Sequence, residues 1–332
     1  MDEREKERRL AHIEETAEKA TKGELLSRKE GLALCSDRVD LLSLMGAANR
    51  VRERFFGRKV SFCSIINAKS GRCPGDCVFC AQSARHACQV SLYPLMGKGE
   101  LLDSIQRTAR GGASHVGIVT SGMKAPQGEE LETLLECVRE LAQCGSVKIC
   151  CSMGQITEGD ARRLKEAGVV RYHHNLESSL AFYGNISRTI RYADKLATVR
   201  AAKKAGLETC CGGIFGLGES WEDRVELAMT IRELGVDSVP LNFLRPVEGT
   251  PLEKATPLSP REALRIVALF RLMLPDKTIK VCGGREYVLR DMQSWMYHAG
   301  ANGAILGNYL TTTGRPPQED LQMVADLGLE AV

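Results

Sequence analysis

The chain has 332 residues, 43% of them apolar, enough to bury one sizeable core or two small ones. Its formal net charge is only +3, with acidic and basic residues interspersed, so neither nucleic acid nor an anionic membrane is expected as a partner. Thirteen cysteines follow a charged N-terminus with no apolar export signal, and no run is long and apolar enough to span a bilayer. A cytoplasmic chain is expected, with cysteines as metal ligands, redox groups or core filler rather than a disulfide framework.

In chain order, residues 1–50 read as a helical N-terminal extension, 51–314 as one domain, and 315–332, opening on "RPPQED", as a closing helical segment. Strand-like alternation begins near residue 59. The candidate strands are "KVSFCSIINA", "SHVGIVTSG", "SVKICCSMG", "VVRYHHNLE", "ETCCGGIFG", "DSVPLNFLRP", "TIKVCGGRE" and "GAILGNYL". Amphipathic helical segments separate them, such as 129–145 and 220–235. Gly145, Gly168, Gly206 and Gly235 stand where helices should stop. This alternation predicts an α/β chain folded as a (β/α)8 TIM-type barrel, with a doubly wound open sheet as the alternative. In a barrel, chemistry gathers at the C-terminal ends of the strands.

Just past the first strand, "GRCPGDCVFCAQS" places Cys73, Cys77 and Cys80 at C-x3-C-x2-C spacing. A structural zinc site wants four protein ligands, and a bacterial ferredoxin run has a different spacing. Three thiolates on a [4Fe–4S] cluster would leave one iron open to a substrate or cofactor. Zinc and plain packing are the competing readings.

The triplet in a first βα loop resembles the radical S-adenosylmethionine superfamily. That resemblance implies a [4Fe–4S] cluster whose open iron chelates S-adenosylmethionine and cleaves it to a deoxyadenosyl radical. Phe79 matches the aromatic that the superfamily carries between the last two cysteines. "GGIFGLGE" (212–219), with Gly213, Ile214 and Gly216, resembles the fifth-strand segment beside the cofactor, although an ordinary tight strand exit reads the same way. Arg188 and Arg191 in "RTIRYADKL" lie near the place where the superfamily contacts the cofactor carboxylate; a solvated helix entrance is the plain alternative.

Further stretches are similar to the biotin synthase family: "YHHNLESS", "FYGNI", "VPLNFLRPVEGTPL", "KVCGGRE" and "GNYLTTTG", in order, over roughly residues 40 to 330. The resemblance implies radical sulfur insertion into dethiobiotin, with an auxiliary iron–sulfur cluster as sulfur donor. It also implies a reducing flavodoxin or ferredoxin, iron–sulfur assembly machinery and a homodimer. Strand parity puts Cys150 and Cys210 inside the barrel, with Cys151 and Cys211 toward the helices. By resemblance, Cys150 and Cys210 hold auxiliary-cluster positions and Arg285 matches an arginine ligand. Asn175 and Glu177 fall at the ureido end of the substrate, and Asn242 beside it or the cofactor.

The sequence departs from that pattern on the second strand, where Gly117 fills the slot of an expected cysteine. A [2Fe–2S] cluster with three cysteines and one arginine therefore cannot be built unchanged. Cys282 is expected to replace the lost ligand in a rearranged auxiliary cluster, [2Fe–2S] or larger, with Arg285 then tuning it from outside; Cys63, Cys151 and Cys211 are reserves. His173 is expected to line the lumen and His174 to pack behind it. Cys35, Cys88, Cys137 and Cys144 read as structural, with Cys137 and Cys144 on one helix face. A related maturase or mutase without sulfur insertion, and an iron–sulfur electron carrier, are the competing functions.

Overall fold

Three helices precede the first strand in the computed structural model, which describes residues 3–145 and 147–332: α1 (Glu3–Thr21), α2 (Arg28–Leu34) and α3 (Leu41–Phe56). Ser27 and Glu30 form a capping box at the start of α2, and Asp40 accepts from the Ser43 N–H at the start of α3. Each cap gives an otherwise orphaned backbone donor a partner. Their apolar faces, including Ile13, Leu34 and Leu44, are buried in the larger core.

Strand and helix then alternate. In order come β1 (Lys59–Lys69), α4 (Lys98–Ala109), β2 (His115–Thr120), α5 (Glu129–Cys144), β3 (Lys148–Ser152), α6 (Glu158–Ala167), β4 (Arg171–His173) and α7 (Tyr192–Lys204). They are followed by β5 (Glu208–Cys210), β6 (Gly213–Phe215), α8 (Trp221–Glu233), β7 (Ser238–Phe243), α9 (Pro260–Met273) and β8 (Thr278–Val281). The chain closes with α10 (Arg285–Leu289), α11 (Trp295–His298), β9 (Gly303–Ile305), α12 (Pro317–Asp326) and β10 (Glu330–Ala331). β5 and β6 are two pieces of one stave, both paired to β7, and β9 pairs back to β1. The result is a closed eight-stave parallel barrel, and all eight expected strands are among its staves. β10 adds to the start of β1 from outside the ring. α3 packs against both α1 and α9, so the N-terminal helices cover one flank of the barrel. Gly168 shows why a glycine ends α6: φ is +109°, and a Cβ there would lie 2.7 Å from the Ala142 Cβ.

The pairing register sorts the lumen into layers. Cys63 pairs across to His115 and on to Lys148, Cys150 through Arg171 to Glu208, Cys210 through Ser238 to Thr278, and Lys280 through Gly303 to Ser61. Each two-stave step therefore climbs two residues, the shear of eight expected of this barrel type. Cys63, Cys150, Cys210 and Lys280 form one layer, each from an odd-numbered stave. The next layer up takes Gly117, His173, Pro240 and Ile305 from the even staves.

Candidate functional site

A cavity of about 460 Å³ runs from the C-terminal mouth of the barrel into its lumen. The loop after β1 brings Cys73, Cys77 and Cys80 to its wall. Short backbone hydrogen bonds fold this loop: Cys73 N–H donates to Gln82 (3.0 Å), Cys80 N–H to Cys77 (2.9 Å) and Ala84 N–H to Cys73 (2.8 Å). Asp76 fastens it to the segment after β4, accepting from Ser187 Oγ at 2.5 Å, Thr189 Oγ1 at 2.7 Å and the N–H groups of Arg188 and Thr189. Burial alone would raise the pKa of Asp76, but these donors outweigh it and hold the carboxyl well below its usual range. Burial pushes the Cys77 thiol up to about 12 and Cys80 to about 11. Such thiols give up their protons only to a strong counter-charge, which an iron cluster supplies. Among the described residues no group of three or more His, Cys, Asp or Glu could hold a single metal ion. A cluster makes a different demand, because it spreads its thiolates over several irons.

Phe79 and Ile214 line the cavity, but Gly213 and Gly216 do not border it. A Cβ on Gly213 would meet the Glu177 carbonyl oxygen at 2.5 Å and Leu227 at 2.7 Å, while Gly216 has φ +94° with Leu258 3.1 Å away. These two glycines allow close backbone packing. In the same motif, Glu219 accepts from the N–H groups of Gly216 (3.0 Å) and Leu217 (2.8 Å) and pairs with Arg224 at 2.8 Å. This buried pair, with Arg224 stacked 4.3 Å over Trp221, holds the β6 exit in shape.

Deeper in the lumen, Cys63, Cys150, Cys210 and Cys282 all line the same cavity, with Arg171 and Lys280. Burial pushes the Cys150 thiol up to about 12, against the pull of Arg171 and Lys280. Cys282 is likewise raised well above the usual thiol value by burial. Cys211 belongs to the core outside the barrel wall. Cys151 is 2% exposed and packs in the core on the helix side of β3, although its edge touches the cavity. Arg285 takes a different course from the one its motif suggested. It opens α10 instead of ending a strand and is absent from the cavity lining. Its Nη2 donates to Asp320 at 2.7 Å, both side chains being essentially buried, and lies 3.4 Å from Glu286, while its Nε and Nη1 have no partner among the described residues.

Asn175, Glu177 and Asn242 border the cavity as well. Two of them are partly committed to the barrel itself. Asn175 Oδ1 accepts from the Gly212 N–H at 3.1 Å, and Asn242 bridges from the Gly213 carbonyl (3.1 Å) to the Gly283 N–H (2.9 Å). Glu177 sits at φ +73°, a conformation rare for a residue with a side chain, and its Oε2 is buried without a partner among the described residues. Its Oε1 lies 3.5 Å from Lys195 Nζ, and this ammonium also donates to the Asn175 carbonyl at 3.0 Å.

Arg188 and Arg191 do not reach the cavity. Arg188 is exposed, and Arg191, 78% exposed, is paired with Asp194. Ile190 between them faces inward, and one turn into α7 the buried Lys195 lines the wall, where its charge bears on Cys77. The sequence reading stopped at the two arginines; the helical spacing of "YADKLATV" is the signal that points Lys195 inward. His174 also corrects an expectation. β4 ends at His173, so the alternation stops there, and both histidines border the cavity. Cys137 is buried, but Cys144 at the end of α5 is exposed, so the two do not pack together.

Two family descriptions match the chain: the radical SAM superfamily over residues 68–231, and the biotin and thiamin synthesis associated domain over 240–330. Curated relatives include a biotin synthase of Geobacter sulfurreducens, 52% identical over 96% of this chain and 98% of its own. Another, from Geotalea daltonii, is 50% identical over 96% and 97%. Among solved structures, a methylornithine synthase superposes with a TM-score of 0.81 at 20% identity, covering 96% of this chain and 97% of that one. An FeFe-hydrogenase maturase from Carboxydothermus hydrogenoformans gives 0.78 at 20% identity, over 96% and 79%. At that identity the two structures speak for the fold alone.

Proposed function

The chain belongs to the biotin synthase family of radical S-adenosylmethionine enzymes, and on that premise we propose how its residues divide the work of converting dethiobiotin to biotin. The observation that carries the reading is one continuous cavity with three thiols in its mouth loop and further thiols in its lumen. Cys73, Cys77 and Cys80 would hold the [4Fe–4S] cluster, and Cys150, Cys210 and Cys282 would hold the auxiliary cluster. When bound, the first cluster and S-adenosylmethionine supply a hydrogen-abstracting carbon radical, and the second supplies sulfur.

The protein's own contribution is placement and exclusion. Asp76 keeps the cysteine loop against the segment that follows β4, so the cofactor end of the cavity has a fixed wall. Lys195, rather than Arg188 or Arg191, supplies the cation for the cofactor carboxylate, and Phe79 and Ile214 give the apolar sides. Glu177, Asn175 and Asn242 orient the substrate's polar end: Glu177 has an unpartnered oxygen, and the amide of Asn175 keeps donor capacity after its bond to Gly212. Enclosure keeps water from reactive carbon centres. A reducing flavodoxin or ferredoxin, iron–sulfur assembly proteins and a second copy of the chain are the partners this reading brings.

Anaerobic incubation of the reconstituted protein with dethiobiotin, S-adenosylmethionine and reductant tests the reading. Biotin and 5′-deoxyadenosine should both appear. Deoxyadenosine without biotin would sink the sulfur-insertion assignment and leave a radical enzyme of another kind.

A further inference from the structure

We propose that Cys63 is a fourth thiolate of the auxiliary site, completing with Cys150, Cys210 and Cys282 a four-cysteine basket that leaves Arg285 outside the coordination sphere. The inference rests on the auxiliary-cluster reading above and adds a ligand to it.

Register carries the argument. Cys63, Cys150 and Cys210 stand on three alternate staves at one height, the arrangement by which a barrel of this shear gathers side chains into a single layer. Cys282 follows directly on β8, its N–H donating to the Leu241 carbonyl at 2.9 Å, so it continues the ladder two residues above Lys280. The pairing of Val281 with Ala304, and of Ala304 with Phe62, carries one residue further to bring Cys282 into register with Cys63 across Ile305, so Cys282 stands one odd layer above the three and closes over them from the neighbouring side. All four side chains border the same cavity.

Core filler is the bland account of Cys63, and its position on β1 argues against it. Val60, Phe62 and Ile66 on the opposite parity are buried beneath helices, whereas Cys63 has the lumen parity and keeps an open face on the cavity. Among the described residues its sulfur makes one weak hydrogen bond, 3.8 Å from the Ala304 carbonyl.

Charge supports the same count. Four thiolates are the usual protein set for a [2Fe–2S] or [4Fe–4S] cluster, and they bring excess negative charge into a buried space. Lys280 occupies the remaining place in the layer of Cys63, is 1% exposed, and has no carboxylate within 4 Å among the described residues. Arg171 borders the same space, though it is shared with Glu208 at 2.6 Å. A lone buried ammonium in a ring of thiols is costly on its own and suited to a site that becomes anionic once loaded. Arg285, meanwhile, is tied to Asp320 behind the cavity wall.

Iron and sulfide counts together with Mössbauer spectra of anaerobically reconstituted protein test the proposal without recourse to turnover. The unaltered chain should hold iron beyond the four of one [4Fe–4S] cluster. Cys63→Ala should lower the total toward about four per chain and remove the auxiliary doublet. Cys63→Ser, close to isosteric, should keep the fold and either lose that iron or shift its doublet. In both variants S-adenosylmethionine should still perturb the electron paramagnetic resonance signal of the remaining reduced cluster, and a Cys35→Ala control should change nothing. Folded Cys63 variants with full iron and an unshifted auxiliary spectrum would overturn the fourth-ligand assignment alone. An unaltered chain that takes up only about four irons would overturn the auxiliary-cluster reading itself.

Discussion

Moving one thiol across the lumen offers a direct test of how the auxiliary site is built. In the double variant Gly117→Cys/Cys282→Ala a sulfur is removed from stave seven and one is added on stave two, one layer lower. A Cβ on Gly117 would lie 3.3 Å from Ile65 Cγ2 and 3.7 Å from the Ser64 carbonyl oxygen. The Ile65 methyl must give by a few tenths of an ångström, and Gly117 is not in the left-handed region, so cysteine can adopt its backbone. Replacing a strand glycine gains roughly 0.5–1 kcal/mol of backbone entropy, which offsets that crowding. Removing the sulfur of Cys282, 2% exposed, costs about 1 kcal/mol. The net change is within about 1–2 kcal/mol, or a melting shift of no more than ~3 °C for a chain of this length. Iron content separates the variants. Cys282→Ala alone should fall toward about four irons per chain, and Gly117→Cys/Cys282→Ala should recover part of the loss. A folded double variant holding no more iron than Cys282→Ala would refute the idea that a thiol from either position serves one cluster. An unchanged auxiliary signal in Cys282→Ala would remove that residue from the site.

Lys195→Met should weaken S-adenosylmethionine binding about 10- to 100-fold, the loss of a charge-assisted hydrogen bond, while iron content stays constant. Binding titrations followed by paramagnetic resonance check this, and an unaltered affinity would return the carboxylate to another cation. Asp320→Ala leaves the buried Arg285 guanidinium with only the longer 3.4 Å contact to Glu286 and should cost about 3–5 kcal/mol, lowering the melting temperature by ~4–7 °C; a shift under 1 °C would show that the pair is not held closed. Burial pushes His115 down to about 3 and His173 to about 4, so both are neutral in the folded chain at pH 5 while the unfolded chain protonates them. Stability should therefore fall as pH drops from 7 to 5, by about 1–2 kcal/mol for each histidine. His115→Gln should flatten that slope in urea titrations, and parallel slopes would count against it.

The eight staves were legible because β-branched and aromatic residues alternate between turn signals, and because glycines mark the helix ends. The cysteine loop was legible because its ligands are local in sequence. What escaped the sequence depends on register and on where elements stop. Lumen parity predicts the inward turn of Cys150 and Cys210, but it cannot tell that Cys63, on the first strand, shares their height. That follows only from the Cys63–His115–Lys148 ladder. His174 was misread because β4 ends one residue earlier, and a period of two has no meaning past the end of a strand. Arg285 was read as lying on a strand, yet Gly284 at φ +74° turns the chain into α10 and sends the guanidinium to Asp320.

The layers also change what Gly117 means. A barrel of this kind ordinarily fills its interior with bulky branched side chains, layer upon layer, and leaves no room for a ligand. Here the layer with Gly117 contains His173, Pro240 and a single branched residue, Ile305; by register the next odd layer takes Ile65, Ser152, Gly212 and Cys282. Glycine, serine, proline and cysteine occupy most of the positions that would otherwise plug the barrel, and the cavity of about 460 Å³ lies where they do. Seen from the sequence, Gly117 is a missing ligand; seen from the lumen, it is part of the space a substrate needs between the mouth and Cys63, Cys150 and Cys210 below. Both accounts are met if the fourth thiol has moved off β2. Cys63 and Cys282 can supply sulfur from staves one and seven while the Gly117 position stays open, and restoring a cysteine at 117 would then trade ligand-binding volume for a redundant donor. Gly117→Cys in the otherwise unaltered chain should accordingly retain auxiliary iron yet bind dethiobiotin more weakly. Unweakened substrate binding in that variant would show that the space beside Gly117 is not used.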